Sequence, residues 1–255
     1  MRKVIAHYHV FKNAGTSIDK ILESSFRDKW LSYDTPNKPG AKISTNDLKK
    51  IIRDNPTIKA FSSHQIFPPV PDMSDEGVEI FPILFLRHPL DRIMSCYLFE
   101  WGKQKGLDQP KESLTEYINF RFEKYRRNAI EEFQTFRCAS LNEEMSNQVY
   151  KQPDDELLTN SKKFIDTVRF YGIVEYFNES LQKLDDYLKP HFDELTIKNI
   201  RTNSLQDKRL SIDEKIDNFK NSIDKDLFEE VLKRNRLDLE LYQYAKSKFE
   251  KSLEK

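Results

Sequence analysis

The stretch His9-Val10-Phe11-Lys12-Asn13-Ala14-Gly15-Thr16-Ser17 decides how the rest of the chain is read. Before it, Val4 to Val10 is rich in β-formers and reads as a strand. After it, Ile18, Ile21, Leu22 and Phe26 recur at helical spacing. Strand, tight loop and helix are the opening of a βαβ unit. A loop in that place turns successive backbone N–H groups toward one spot, at the positive end of the helix dipole, which suits phosphate or sulfate. Within residues 12 to 17, Gly15 lets the backbone approach an anion, and Asn13 and Ala14 are counted with it as candidate contacts of the loop. Lys12 brings charge, and Thr16 and Ser17 bring hydroxyl donors.

Working outward, Ile58 to Ser62 and Ile80 to Leu86 read as further short strands, the second almost wholly apolar as befits a strand covered on both faces. Pro68-Pro69-Val70-Pro71 between them must be irregular, because proline donates nothing to a ladder. Pro36 to Lys42 is a loop, and a second helix is expected near Asn46 to Arg53. From Asp91 the pattern is mainly helical. Leu114, Tyr117, Ile118, Tyr125, Ile130, Phe133 and Phe136 trace one side of a long helix or a helix pair. Val168 to Val174 returns to strand character, Asn178 is placed to cap the helix that carries Leu181, Leu184 and Leu188, and Asp224 to Leu253 is helical again. The expected architecture is α/β: a mainly parallel central sheet with helices on both faces, in one domain over residues 1–255, with a helical subregion around residues 101–165.

Bulk composition narrows the functional classes. Lys+Arg and Asp+Glu both number 42, so no overall field draws the chain to nucleic acid or to an anionic membrane. The two cysteines, Cys96 and Cys138, have no C-x-x-C spacing, which speaks against a disulfide scaffold or structural zinc. No stretch approaches the roughly 20 apolar residues of a membrane span. The N-terminus lacks the apolar core of a signal peptide. As written, the chain reads as a soluble cytoplasmic protein.

A second motif adds weight. In Phe85-Leu86-Arg87-His88-Pro89-Leu90-Asp91-Arg92-Ile93-Met94-Ser95-Cys96-Tyr97, Arg87 follows an apolar strand and Pro89 presets the first turn of a helix. Ser95 lies about two turns into that helix. Arg87 offers a planar fork to a phosphate, and Ser95 adds a hydroxyl. Arg92 is open to two readings, a salt bridge or a share in the same positive field. The first loop is not a Walker A sequence, since lysine precedes its only glycine.

The order K-x-x-G-T-S, followed by Arg-x-Pro-x-x-Arg-x-x-Ser-x-Tyr, resembles the sulfotransferases that use 3′-phosphoadenosine 5′-phosphosulfate (PAPS) and release PAP. The similarity is greatest to the carbohydrate enzymes of the Golgi, the heparan and uronyl sulfotransferases among them. Phe170-Tyr171-Gly172-Ile173-Val174-Glu175 and Leu237-Asp238-Leu239-Glu240-Leu241-Tyr242 are weaker echoes of the same family, and Asn199 to Arg209 corresponds to a loop that closes over its nucleotide. The resemblance implies a P-loop-like fold, the 5′-phosphosulfate on residues 12–17, the 3′-phosphate on Arg87 and Ser95, and no metal.

Sulfuryl transfer needs a base for the acceptor hydroxyl and a cation beside the leaving oxygen. Lys12 is the natural cation. For the base, His64 in Phe61-Ser62-Ser63-His64-Gln65 follows the strand expected beside the first, and the resemblance implies a histidine there. Glu100 is the alternative. His7 and His9 point to one face of a strand, and no nearby Cys, Asp or Glu completes a metal set with them, so packing or a supporting role is expected. His88 is read as shaping its turn.

The acceptor implied by the resemblance is a hydroxyl on a glycan or glycosylated small molecule, met by the region from Trp101 to Lys163. Arg121, Lys124, Arg126 and Arg127 are either a basic face for an anionic glycan or a solvated helix surface. Animal members carry a membrane anchor for the Golgi lumen, so that compartment applies only if the chain has been trimmed. A start at Met1 with an immediate strand favours a natural anchorless protein. Two rivals remain: a non-catalytic relative that binds nucleotide or glycan, and a nucleotide kinase, which would need a Walker A loop.

Overall fold

The computed structural model describes residues 1–36, 41–124, 128–140, 151–197 and 210–254. Its centre is a five-stranded sheet: β1 (Arg2–Tyr8), β2 (Trp30–Ser32), β3 (Ala60–Ser63), β4 (Val78–Leu86) and β5 (Tyr171–Ile173). The order is β2-β3-β1-β4-β5, and every pairing is parallel. The expected α/β architecture is therefore the observed one.

Alternation along β1 divides the core. Val4, Ala6 and Tyr8 point into one layer, which they share with Leu48, Ile52, Phe164, Leu241 and Phe249. Ile5 points the other way, onto Ile18, Ile21, Leu22, Leu181 and Leu184. Helices α1 (Gly15–Phe26) and α7 (Phe177–Leu188) thus cover one face. Helices α2 (Thr45–Asp54), α6 (Asp154–Thr167) and α10 (Arg236–Leu253) cover the other. A third cluster joins α3 (Pro89–Tyr97), α4 (Leu114–Phe122), α8 (Ile212–Asn221) and α9 (Lys225–Arg234) around Ile93, Tyr117, Ile118, Phe219 and Val231. The short α5 (Phe133–Cys138) packs with α6 and α10.

The topology places the site. From β1 the chain crosses to β2 on one side, and from β4 it goes on to β5 on the other. Adjacent strands whose connections diverge leave a crevice at their C-terminal ends, where ligands of open α/β sheets bind. The loops after β1 and β4 are the two motif segments.

Several local expectations need correction. The edge strand β2 is too short to carry a periodic signal and was not expected. Only Tyr171–Ile173 of the region 168–174 pairs with β4, because Val168 terminates α6, its N–H donating to the Phe164 carbonyl at 2.8 Å. Asn178 does not cap its helix: a 3-10 turn at Val174–Tyr176 runs straight into α7, placing Asn178 inside the first turn. The pattern from Leu114 to Phe136 resolves into the pair α4 and α5, with Tyr125 outside the described residues. The last helical stretch breaks at the fully buried Asn235 into α9 and α10.

Candidate active site

Between β1 and α1 the backbone makes a tight turn in which Lys12 and Ala14 both take left-handed conformations, φ 64° and 62°. Non-glycine residues occupy that region at a cost, which is met where function holds the loop in shape. The turn delivers the chain into α1 with Ala14 at the N-cap and no side-chain cap, and Ser17 N donates to the Ala14 carbonyl at 2.9 Å, so of the first turn the amides of Gly15 and Thr16 are the ones left to meet an anion. Asn13, expected as a ligand contact, is fully buried, and its amide donates to the Phe85 carbonyl and to Gln134 Oε1, each at 2.7 Å. Its side chain therefore anchors the loop to β4, and its backbone N–H closes the turn onto the Val10 carbonyl at 3.1 Å.

Gly15 also has a different reason from the one expected. A Cβ there would lie 2.1 Å from His9 Nε2 and 2.0 Å from the adjacent ring carbon. The missing side chain makes room for the His9 imidazole beneath the loop, beyond any gain in anion approach. Gly15→Ala is expected to destabilise the fold by about 1–3 kcal/mol through overpacking. Thermal unfolding checks this, and a variant as stable as the parent would contradict the contact.

The two motif loops are tied together. Buried Gln134 on α5 accepts from Arg87 N at 2.9 Å and from Asn13, while its amide donates to the Arg87 carbonyl at 2.9 Å. Arg87 Nη1 donates to the Lys12 carbonyl at 3.1 Å, and its Nε to Asp91 Oδ2 at 2.7 Å. Burial alone would raise the Asp91 pKa, but Arg87 and then Lys215 hold it below the usual carboxylate value. Glu175 Oε1 accepts from His88 N at 2.8 Å and Oε2 from the Tyr242 hydroxyl at 3.0 Å. The two weaker sequence echoes thus meet at one carboxylate.

A cleft of about 780 Å³ opens beside these groups, lined by Ala14, Ser17, Arg87, Asp91, Glu175 and Lys215 among others. Its volume lies within the roughly 300–1,000 Å³ of small-molecule sites. Ser95 is half-buried two turns along α3, and Thr16 is exposed at the start of α1; neither is among the lining residues. Arg92 meets neither expectation. It is fully buried, with its guanidinium over the Phe133 ring at 4.9 Å and Nη1 3.8 Å from Cys96 Sγ.

Residues 1–245 match the profile of the sulfotransferase family. The chain belongs to that family. It is also similar to an uncharacterized protein of Archaeoglobus fulgidus, 29% identical over an alignment of 251 residues that covers 95% of each chain.

In this member of the family the candidate catalytic groups gather at the C-terminal ends of β1 and β3. The Lys12 ammonium lies 4.1 Å above the centre of the Phe99 ring, presented by a π-helical turn at Leu98–Gly102. Burial lowers its pKa, and the charges of Arg87 and Lys103 push the same way. His64 stacks on His9 at 3.8 Å, and its Nδ1 is 2.8 Å from Asp34 Oδ2. The imidazole keeps 45% exposure, yet its stacked face is out of water. Desolvation lowers its pKa and His9 adds to this, against the pull of Asp34.

His7 and His9 point to the α1 face, and α1 supplies the acid missing from the sequence reading. Asp19 accepts from His7 Nδ1 at 2.8 Å and from His9 Nδ1 at 2.9 Å, one oxygen to each. The rings are near parallel, 21° apart, so both nitrogens face the carboxylate side by side. Glu100 is committed to an ion pair with Arg121 and accepts from Tyr117 Oη at 2.7 Å. Of the residues read as either a basic face or a solvated surface, Arg121 is thus engaged by Glu100, while Lys124 lies over Phe120. Arg126, Arg127 and the loop Asn199 to Arg209 lie outside the described residues. His88, against Tyr242, has its pKa lowered by burial to about 4.

Asp34, Asp19 and Gln134 were missed from sequence. Asp34 follows the unrecognised strand β2, and Gln134 acts across 47 residues of chain with no motif around it. Only Asp19 left a trace, being a charged residue between the apolar positions of α1. Among the described residues no helix is long and apolar enough to cross a membrane.

Proposed function

We propose that this protein transfers a sulfuryl group from PAPS to an acceptor hydroxyl, with a carbohydrate as the acceptor class that the family resemblance favours. The observation that carries the proposal is the joining of both motif loops through Gln134 at one sheet crevice, beside a cleft large enough for a nucleotide. The amides of Gly15 and Thr16 at the α1 N-terminus and the Lys12 ammonium fit a 5′-phosphosulfate. Arg87, half-buried and already oriented by Asp91, fits a phosphate at the other end of the nucleotide, with Ser95 beyond it on α3.

The donor supplies an activated sulfuryl group with a phosphate as its leaving group. The chain's residues do the rest. Lys12 places a positive charge where negative charge develops on the leaving oxygen. His64 takes the acceptor proton at Nε2 as the oxygen attacks, and its lowered pKa keeps it neutral and ready near physiological pH. The loop amides hold the reacting groups in line.

Incubation with ³⁵S-labelled PAPS and a panel of glycan and small hydroxyl acceptors tests the activity: label should move to at least one acceptor, and none moving would oppose the proposal. For the cofactor grip, Arg87→Lys keeps the charge that neutralises Asp91 but loses the planar fork. PAP affinity should fall about 10- to 100-fold, the worth of a charged hydrogen bond. Titration calorimetry reads it directly, and unchanged affinity would remove Arg87 from the nucleotide site.

A further inference from the structure

His64 is held by more than its place after β3. Asp34, delivered by β2 to the neighbouring strand end, accepts three hydrogen bonds from one short segment: Ser63 Oγ at 2.6 Å, His64 N at 2.9 Å and His64 Nδ1 at 2.8 Å. An ionised carboxylate only accepts, and Asp34 is held below the usual carboxylate pKa by Ser63 and His64 although burial opposes this. The proton of neutral His64 is therefore on Nδ1, and Nε2 carries the lone pair. The ring plane is fixed separately. His9 stacks beneath at 3.8 Å and is itself locked through Nδ1 to Asp19, which also holds His7. Asp34 fixes rotation and tautomer, while the His9–Asp19 platform fixes tilt.

We propose that Asp34 is the positioning residue of His64, selecting Nε2 as the basic atom and stabilising the imidazolium formed when that atom takes the acceptor proton. The inference rests on the reading of His64 as the base. Proton balance is simple: the acceptor O–H bond breaks, Nε2–H forms, and Nδ1–H stays hydrogen-bonded to Asp34, which remains ionised throughout. Of the charged and titratable neighbours, Asp34 and Asp19 pull the His64 pKa upward and His9 pushes it down.

Asp34→Asn retains size but offers an N–H to His64 Nδ1, favouring the wrong tautomer. Its kcat should fall about 10²- to 10⁴-fold, the range of general-base catalysis. PAP affinity should stay within about twofold, since the substitution leaves the phosphate loop alone. Removing a carboxylate that raises the His64 pKa should move the acidic limb of kcat to lower pH. A merely structural role would lower stability and PAP affinity together and leave the limb in place. Asp34→Glu should recover part of kcat.

Nitrogen-15 NMR of the histidine rings in the wild-type protein decides independently of turnover, with signals assigned by His64→Ala. The expected result is a protonated Nδ1 and free Nε2 on His64. An Nε2-protonated ring, or Asp34→Asn with kcat and pH limb unchanged while His64→Ala is inactive, would overturn the inference. Full activity of His64→Ala would instead overturn the base assignment, so the two failures are distinguishable.

Discussion

His64→Ala is expected to lower kcat by about 10²- to 10⁴-fold, the loss that follows removal of a positioned general base. The side chain is half-exposed at the end of β3, and among the described residues its ring nitrogens bond only Asp34, so its removal should leave the sheet and the motif loops intact. PAP affinity should not change, which separates loss of the base from loss of the site. In the parent enzyme kcat should rise with pH through a single limb that lies below the ordinary imidazole range, because desolvation and His9 lower the His64 pKa. The base must be neutral to accept a proton, so activity is lost as pH falls through that value. Single-turnover assays across pH, with parent and variant side by side, read both effects.

Lys12→Ala should cost about 10²- to 10³-fold in kcat, the range for losing one group that stabilises transition-state charge. This substitution isolates the ammonium. Lys12 sits at φ 64°, and alanine pays the same steric penalty as lysine there, so the loop conformation is not relieved by the change. The ammonium rests over the Phe99 ring and, among the described residues, pairs with no carboxylate, so its removal uncovers no buried anion there. The donor KM should rise much less than kcat falls, because the loop amides and Arg87 still bind. Equal losses in KM with kcat untouched would make Lys12 a binding group only.

Much of this was legible from short segments. The strand–loop–helix of residues 4–26 and the strand–helix of residues 80–97 have their periodicities intact, and the parallel sheet that follows from them brings both motif loops to one crevice. His64 could be placed because β3 does lie next to β1. What could not be read is what crosses the fold. Gln134 clamps residues 13 and 87 from a six-residue helix, and nothing in the pattern Phe133–Cys138 distinguishes it from an ordinary polar position. Asp34 depends on a three-residue edge strand with too few residues to show alternation. Gly15 was read toward the ligand when the tighter constraint is the imidazole beneath it, and the role of Gly172 is similar: a Cβ there would lie 2.3 Å from the Phe85 ring. Close approach is visible only once two distant segments are superposed in space. Arg92, an arginine in the middle of a charged motif, turned out to face a ring and a thiol instead of an anion.

The central claim is that the crevice between the loops after β1 and β4 binds the nucleotide of PAPS. Titration calorimetry of the wild-type protein with PAP tests it most directly. Saturable one-to-one binding in the micromolar range or tighter, weakened by Arg87→Lys and untouched by His64→Ala, is the predicted result. No binding heat at high micromolar PAP, at two temperatures so that a vanishing enthalpy is not mistaken for absence, would contradict it.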